Sequence, residues 1–222
     1  LGADAIARGG DTVVYGFFSE PESVDRPGAH FVGYNQVTGE QRWTFTIPAA
    51  PEYDYIILPK GAGIVADIAV VGINAPAQQQ YGVYGLDRQT GEQVWSTEHQ
   101  GGINNLETHD SGIYLDTFSG VTVLDPATGS VIEQHESLRG ADQIHGDSLF
   151  ATGDDELRAY PITDDGLEWS TSGVSEAHTV AVDNSLVVVG GDGDVQAFER
   201  ATGEKQWDTT IEGTVWQIEL TP

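Results

Sequence analysis

Apolar and polar residues alternate along most of this chain in short runs, and no segment sustains a 3.6-residue period. The run Val195-Gln-Ala197-Phe198-Glu199 alternates before a turn, and Thr214-Val-Trp216-Gln-Ile218-Glu-Leu220 alternates near the chain's end. Short alternating runs bounded by turn residues predict half-buried β-strands and almost no helix.

The runs recur around a repeated turn. Gly33-Tyr-Asn35-Gln-Val-Thr38-Gly39-Glu-Gln-Arg-Trp43 has relatives starting near Gly85, Val123, Ala159 and Ala197. The turn glycines Gly39, Gly91, Gly129, Gly166 and Gly203 are separated by 52, 38, 37 and 37 residues, a spacing that marks a repeat architecture. Gly accepts positive φ, and an Asp or Asn three residues before the Thr bonds the turn's backbone N–H groups, so the Thr-Gly pair predicts a hairpin. A Trp at one fixed site per repeat (Trp43, Trp95, Trp207) predicts a packing device that covers the joint between neighbouring sheets. Glu133 stands where the third repeat should have Trp, and Trp169 comes one residue early, so these two units are expected to pack differently.

With strands A to D in each unit and Thr-Gly between C and D, the repeats divide the chain at approximately 1–47, 48–99, 100–137, 138–173 and 174–212. An extra A-like strand, 213–222, would begin a sixth unit. Strands A and B of the first unit are expected at Ala3–Arg8 and Thr12–Phe18. In the second, strand B is expected at Asp67–Ile73, and the preceding Pro48–Lys60 stretch holds either an extended strand A or an inserted loop with an added strand. Later B strands are expected at Gly112–Phe118, Ser148–Thr152 and Ser185–Val189, with C strands at Gly120–Leu124, Leu157–Tyr160 and Val195–Phe198.

Charge adds a condition to this picture. The 222 residues carry 35 acidic and 9 basic side chains, a formal net charge of −26, with Lys60 and Lys205 the only lysines. Such a surface repels phosphates and anionic lipid, so neither nucleic acid binding nor direct membrane insertion is expected. A hydrophobic share of 39% with five Trp argues against disorder and for adaptation to high salt, where carboxylate repulsion is screened. With no cysteine there are no disulfides or thiolate sites, and no run approaches a membrane span. A chain that begins at Leu1 and holds no Met reads as a processed product or a fragment, whose targeting segment would lie elsewhere.

The combination of small residue, Asp, Thr-Gly and Trp resembles the tryptophan-docking repeat of PQQ-like (quinoprotein-type) β-propellers across essentially the whole chain. The resemblance implies an all-β propeller of four-stranded antiparallel blades, and with the charge it implies a halophilic archaeal source. It also implies that Trp43, Trp95, Trp169 and Trp207 dock on neighbouring blades and that Gly39, Gly91, Gly129 and Gly203 shape the hairpins. Five units plus one strand fit either a five-bladed ring or an arc of a larger one. The family includes quinoprotein dehydrogenases and non-enzymatic outer-membrane assembly lipoproteins. A dehydrogenase of this kind would need a calcium-bound quinone, a carboxylate base and, in many members, a vicinal disulfide that this chain cannot form.

Other chemistry is thinly signalled. The acidic turns Asp154-Asp155-Glu156 and Gly191-Asp192-Gly193-Asp194 invite Ca²⁺ but match no EF-hand spacing, and they read as solvated B-to-C turns. His109 and His145 occupy equivalent places near the ends of A strands, too few ligands for a zinc site. No Gly-x-Ser-x-Gly nucleophile turn occurs. The expectation is therefore no catalytic residue, no metal and no cofactor.

The irregular segments carry more information. In an up-and-down blade the B-to-C and D-to-A connections share one face, so the three lengthened segments Ser19–Gly28, Pro48–Pro59 and Asn74–Gln80 lie together on blades one and two. Long loops on a tight scaffold commonly carry binding, and Phe18, Pro51, Tyr53, Tyr55 and Gln79 are the candidate contacts with a protein partner. The expected function is a salt-adapted scaffold or adhesion module, extracellular or at the cell surface, with the PQQ-dependent dehydrogenase of alcohols or sugars as the alternative.

Overall fold

The computed structural model describes residues 5–19, 28–48, 57–75, 80–136, 138, 141–153, 155–162, 166–174 and 177–220. They fold entirely as antiparallel β-structure, with no helix among the described residues. The first sheet contains β1 (Ala5–Gly9), β2 (Thr12–Ser19), β3 (Gly28–Asn35) and β4 (Gln41–Pro48) in chain order. The second contains β5 (Leu58–Val65), β6 (Ile68–Ala75), β7 (Gln80–Asp87) and β8 (Gln93–His99). In the third are β9 (Ile103–His109), β10 (Gly112–Thr117), β11 (Gly120–Leu124) and β12 (Val131–His135). The fourth holds β13 (Ala141–His145), β14 (Ser148–Gly153), β15 (Glu156–Pro161) and β16 (Trp169–Ser172).

The fifth sheet has β17 (Ala177–Val182), β18 (Leu186–Glu199) and β19 (Lys205–Thr214). Here the expected B and C strands are one continuous element, because the Gly190–Asp194 turn is so short that pairing continues through it. Val187–Gly191 pair with β17 and Asp192–Phe198 pair with β19. Arg200 N donates to Ser185 O at 2.9 Å, bringing the ends of β18 together as a folded hairpin that turns at Gly193 (φ +84°). The alternating run Thr214–Leu220, expected as a further strand A, contributes only Thr214 to a strand. Val215 instead donates its N–H to Gly191 O at 3.1 Å.

The chain divides into two compact units, Leu1–Gln134 and His135–Pro222. The division falls just past Glu133, the position that holds Trp in other repeats.

The repeated turns share one construction. Asn35 Oδ1 accepts from Val37 N and Thr38 N at 2.8 and 3.0 Å, Asp87 Oδ1 from Gln89 N and Thr90 N at 2.9 and 2.8 Å, and Asp125 Oδ1 from Ala127 N and Thr128 N at 3.0 and 2.8 Å. The turn then closes through Gly39, Gly91, Gly129 and Gly203, each donating its N–H four residues back at 2.8 Å with φ between +70° and +72°. An L side chain there would hold the backbone in a costly left-handed conformation.

The turns of Gly91, Gly129 and Gly203 each receive an indole from the preceding sheet of their own unit. In the first unit Trp43 Nε1 donates to Arg88 O at 2.9 Å and Trp95 Nε1 to Pro126 O at 3.0 Å; in the second, Trp169 Nε1 donates to Arg200 O at 3.0 Å. The rings are held from both sides. A Cβ on Gly33 would fall 2.2 Å from Trp43 Cε2, and one on Gly85 2.1 Å from Trp95 Cε2. On the other side, Cβ atoms on Gly91, Gly129 and Gly203 would fall 2.6, 2.3 and 2.3 Å from Trp43, Trp95 and Trp169. The small strand-C residue and the turn glycine are thus two walls of one slot. Trp169 docks as the others do, contrary to the expectation from its early position. Trp169 follows Ala159 by the same ten residues that separate Trp43 from Gly33, so Ala159 stands opposite Trp169 as Gly33 stands opposite Trp43, and only Gly166 is out of step with the other turn glycines.

These slots cap apolar cores that lie between successive sheets of each unit. Phe31, Trp43 and Ile47 pack with Val71, Ile73 and Leu86; Val70, Val83 and Trp95 pack with Ile113, Leu115 and Leu124. In the second unit Phe150 and Leu157 pack with Val187, Val189 and Phe198. A sheet on its own would leave such a face in water, so each stabilises the next by burial.

The turn carboxylates also make folding sensitive to acid. Backbone N–H donors from Thr90 and Gln89 hold Asp87 below the usual carboxylate range, and the Thr128 hydroxyl and backbone do the same for Asp125. Asp11 is held far lower, by the Arg42 guanidinium first and the Gln89 amide second. A depressed folded pKa contributes stability that is present above the unfolded value, about 3.9, and lost as pH falls toward the folded one. In molar salt, urea midpoints should be level from about pH 7 to 5 and fall below about pH 4. Asp87→Asn, which copies the first turn's Asn35, should shrink the drop between pH 7 and 3; an unchanged drop would show that this turn is not acid-sensitive.

Candidate functional site

Antiparallel pairing places the strand ends flanking the three lengthened segments at one end of the first unit. Ser19 stands opposite Gly28 and Gly28 opposite Pro48 in the first sheet; Leu58 stands opposite Asn74 and Ala75 opposite Gln80 in the second. Of the candidate contacts, Phe18 is on β2 opposite Ala29 and half-buried. Pro51, Tyr53, Tyr55 and Gln79 lie outside the described residues. Strand A of the second repeat is β5, and the described residues of that interval contain no added strand.

The base of the first segment is a polar and aromatic cluster. Ser19 Oγ and His30 Nε2 are 2.6 Å apart, and His30 Nδ1 lies 3.0 Å from Thr46 Oγ1, so the imidazole links three strands. Phe17 stacks on the His30 ring at 5.2 Å, with Tyr15 5.7 Å from Phe17. At the base of the third segment, buried Asn74 bridges to the next sheet. Its Nδ2 donates to Ile103 O at 2.8 Å and its Oδ1 accepts from Ile103 N at 3.0 Å. One side chain thus satisfies both backbone groups of Ile103, so the strand ends are fixed in position.

A cavity of about 430 Å³ opens among the first residues of β1, β5 and β9, which belong to that same end of the sheets. Close approach of these inner strands depends on missing side chains, since a Cβ on Gly61 would fall 2.7 Å from Leu106 Cβ and one on Gly63 2.2 Å from Thr108. Ile6, Leu58 and Leu106 supply apolar wall; Lys60, Asn104, Asn105 and Glu107 supply the polar groups. Asn104 Nδ2 donates to Asp116 Oδ2 at 3.1 Å, which orients the amide. Among the described residues the lining holds one cation, one carboxylate and two amides. That set suits recognition by hydrogen bonds and charge. Sequence reading missed this cavity. Its signal was the small-residue run Gly61-Ala62-Gly63 beside one of the chain's two lysines.

The other candidates are occupied in structural roles. Asp192 accepts from the Thr214 hydroxyl and lies 3.3 Å from His178 Nε2, and Asp194 Oδ2 accepts from Gln196 Nε2 at 2.7 Å. Thr214 first and His178 second hold the Asp192 carboxyl below its ordinary range. His109 Nδ1 is 2.8 Å from Ser111 Oγ, and His145 Nε2 is 3.1 Å from Asn184 Oδ1. Among the described residues no three His, Asp or Glu side chains gather as metal ligands do.

With the sheets, slots and turns in place, comparison with known proteins becomes decisive. The family model described as outer membrane protein assembly factor BamB matches residues 9–209. The chain belongs to this PQQ-like β-propeller family. No curated protein matches it at a significant level. Among solved structures, BamB from Moraxella catarrhalis is 20% identical with a TM-score of 0.63, over 93% of this chain and 61% of that one. A chain of the mitotic checkpoint complex gives 13% identity and a TM-score of 0.68, over 94% and 66%. Sqt1 of Saccharomyces cerevisiae gives 11% and 0.65, over 96% and 62%. These likenesses establish the β-propeller fold, and the chain spans about three-fifths of the BamB it matches. The PQQ-like resemblance carried by the Thr-Gly-to-Trp repeat therefore holds.

Proposed function

We propose that this chain is a non-enzymatic β-propeller scaffold or adhesion module that binds a protein partner, in a halophilic archaeal setting outside the cell or at its surface. The contact surface is the end bearing the three long segments, with Phe18, Pro51, Tyr53, Tyr55 and Gln79 as contacts. One observation carries the reading: the lengthened connections of blades one and two and the 430 Å³ polar cavity belong to the same end of the sheets. The standardised slots occupy the turns at the other end. Support also comes from the family's description as an assembly factor and from a structural neighbour that is part of a multiprotein complex. The net charge of −26 supports the salt adaptation, because repulsion among carboxylates is screened over about 3 Å at molar salt.

The binding surface is tested by affinity capture from the surface fraction of the source cells in molar KCl. Replacing the three long segments with short turns, or Tyr55→Ala alone, should abolish capture of the specific partner; capture retained after all three replacements would sink the proposed surface. A parallel incubation with PQQ and Ca²⁺ should give neither bound-quinone absorbance nor dye-linked oxidation of alcohols or sugars. Either signal would favour the dehydrogenase. Salt adaptation is checked by far-UV circular dichroism: β-structure should be lost on dialysis from molar KCl into dilute buffer, and an unchanged spectrum counts against it.

A further inference from the structure

Within the second unit, one side chain ties together the acidic turns of the fourth and fifth sheets. Asp155, in the turn from β14 to β15, has φ +61° and gives its carbonyl to Gly173 N at 2.9 Å and to Val174 N at 3.2 Å. Those bonds fix the peptide just past β16, and Gly173 O accepts from Gln196 Nε2 of β18 at 2.9 Å. The same Nε2 donates to Asp194 Oδ2 at 2.7 Å. Packing leaves two groups of this bridge unmet. Gln196 is only 7% exposed, yet its Oε1 is buried with no hydrogen-bond partner, which is costly for an amide oxygen. Asp194 meets a neutral amide, and among the described residues no cationic side chain pairs with it, whereas Asp192 has His178.

We propose that this bridge is a Ca²⁺ site, with Gly173 O, Asp194 Oδ2 and Gln196 Oε1 as its protein ligands. A half-turn of the amide about its last, soft torsion puts Oε1 where Nε2 stands, facing the other two oxygens. Three facing oxygens repel one another unless a cation lies among them. Without an ion the NH₂ must therefore face inward and strand Oε1; with one, Oε1 faces inward and Asp194 gains a counter-charge. The spacing suits the ion. Neighbouring ligands about 2.4 Å from Ca²⁺ in its pentagonal plane lie about 2.8 Å apart, and here the positions are 2.7 and 2.9 Å apart. Carboxylate, backbone carbonyl and side-chain amide are oxygens that Ca²⁺ takes, whereas Mg²⁺ keeps several of its waters. Water can complete the shell, because a Cβ on Gly173 or Gly193 would meet nothing within 4 Å. Only one ligand is a carboxylate and the carbonyl comes from a separate connection, so neither a cluster of acidic side chains nor a loop spacing marks the site.

This proposal does not rest on the scaffold reading. It is tested by titrating calcium chloride into the purified chain in molar KCl and following the heat. Salt at that concentration screens the general attraction of cations to the acidic surface, so a saturable signal reports a built site. One Ca²⁺ should bind per chain with a Kd of about 10⁻⁴–10⁻³ M, the weak end of the range for protein sites. Magnesium chloride should give no saturable heat. Asp194→Asn keeps an acceptor for the amide but removes the charge, and should weaken binding about tenfold or more. Gln196→Glu should tighten it, because a second carboxylate then faces the ion, and a gain cannot come from misfolding. Asp125→Asn removes one charge at a turn of the first unit and should leave the Kd unchanged. The proposal is overturned by a wild-type chain that gives no saturable Ca²⁺ heat, by Mg²⁺ binding as well as Ca²⁺, or by undiminished binding in Asp194→Asn. An equal loss in Asp125→Asn, or no gain in Gln196→Glu, would overturn it too.

Discussion

An indole held between two glycine-walled surfaces is the contact on which the rest of the structure depends. Trp43 lies against Gly33 of its own sheet and Gly91 of the next, and its N–H reaches Arg88 O. The contact covers apolar area, satisfies a buried donor and fixes the distance between sheets in one stroke. Because the acceptor is a backbone carbonyl in a turn with fixed φ, the same joint can be repeated with different side chains around it. Trp95 and Trp169 do this with Pro126 and Arg200.

That arrangement separates constancy from variation along the strands. At the turn end, Asx bonds, glycine φ values and indole slots leave little freedom. At the other end, strand B runs into connections of differing length, from the two-residue Phe118-Ser119 turn of the third repeat to the longer segments of the first two. Asn74 and His30 hold the strand ends there. The inner strands leave a polar cavity at the same end, with Lys60 in its wall, one of nine basic residues in a strongly acidic chain. A binding surface can change in such a place without disturbing the slots.

Much of this was legible in the amino acids because the joint needs particular residue types. Gly suits the positive φ at Gly39 and Gly91 with no side chain to strain it, only a small residue fits beneath the ring at Gly33 or Ala159, and Asp, Asn and Thr make the turn bonds. Strand assignments followed from these fixed points, and β11 falls at Gly120–Leu124 as the pattern predicts. Legibility failed where pairing, not side-chain type, decides. Alternation beyond Thr214 reads as a strand, but the chain turns Val215 toward Gly190 and Gly191 instead. Trp169 looked displaced because it was measured from Gly166, which lies one position later in its repeat than the other turn glycines, while docking depends on the register opposite Ala159. The cavity was hidden for a related reason: it arises from three strands far apart in sequence, and none of its residues is unusual alone.

The account stands on the claim that docked indoles, and not tryptophan content as such, hold successive sheets together. Equilibrium urea unfolding in molar KCl, at concentrations where the chain is monomeric, tests this by comparing Trp95→Ala with Trp216→Ala. Trp95 is docked and Trp216 is 74% exposed. The account predicts a loss of about 3–5 kcal/mol for Trp95→Ala and about 0.5 kcal/mol or less for Trp216→Ala. Equal losses for the two, or a loss near zero at Trp95, would contradict it.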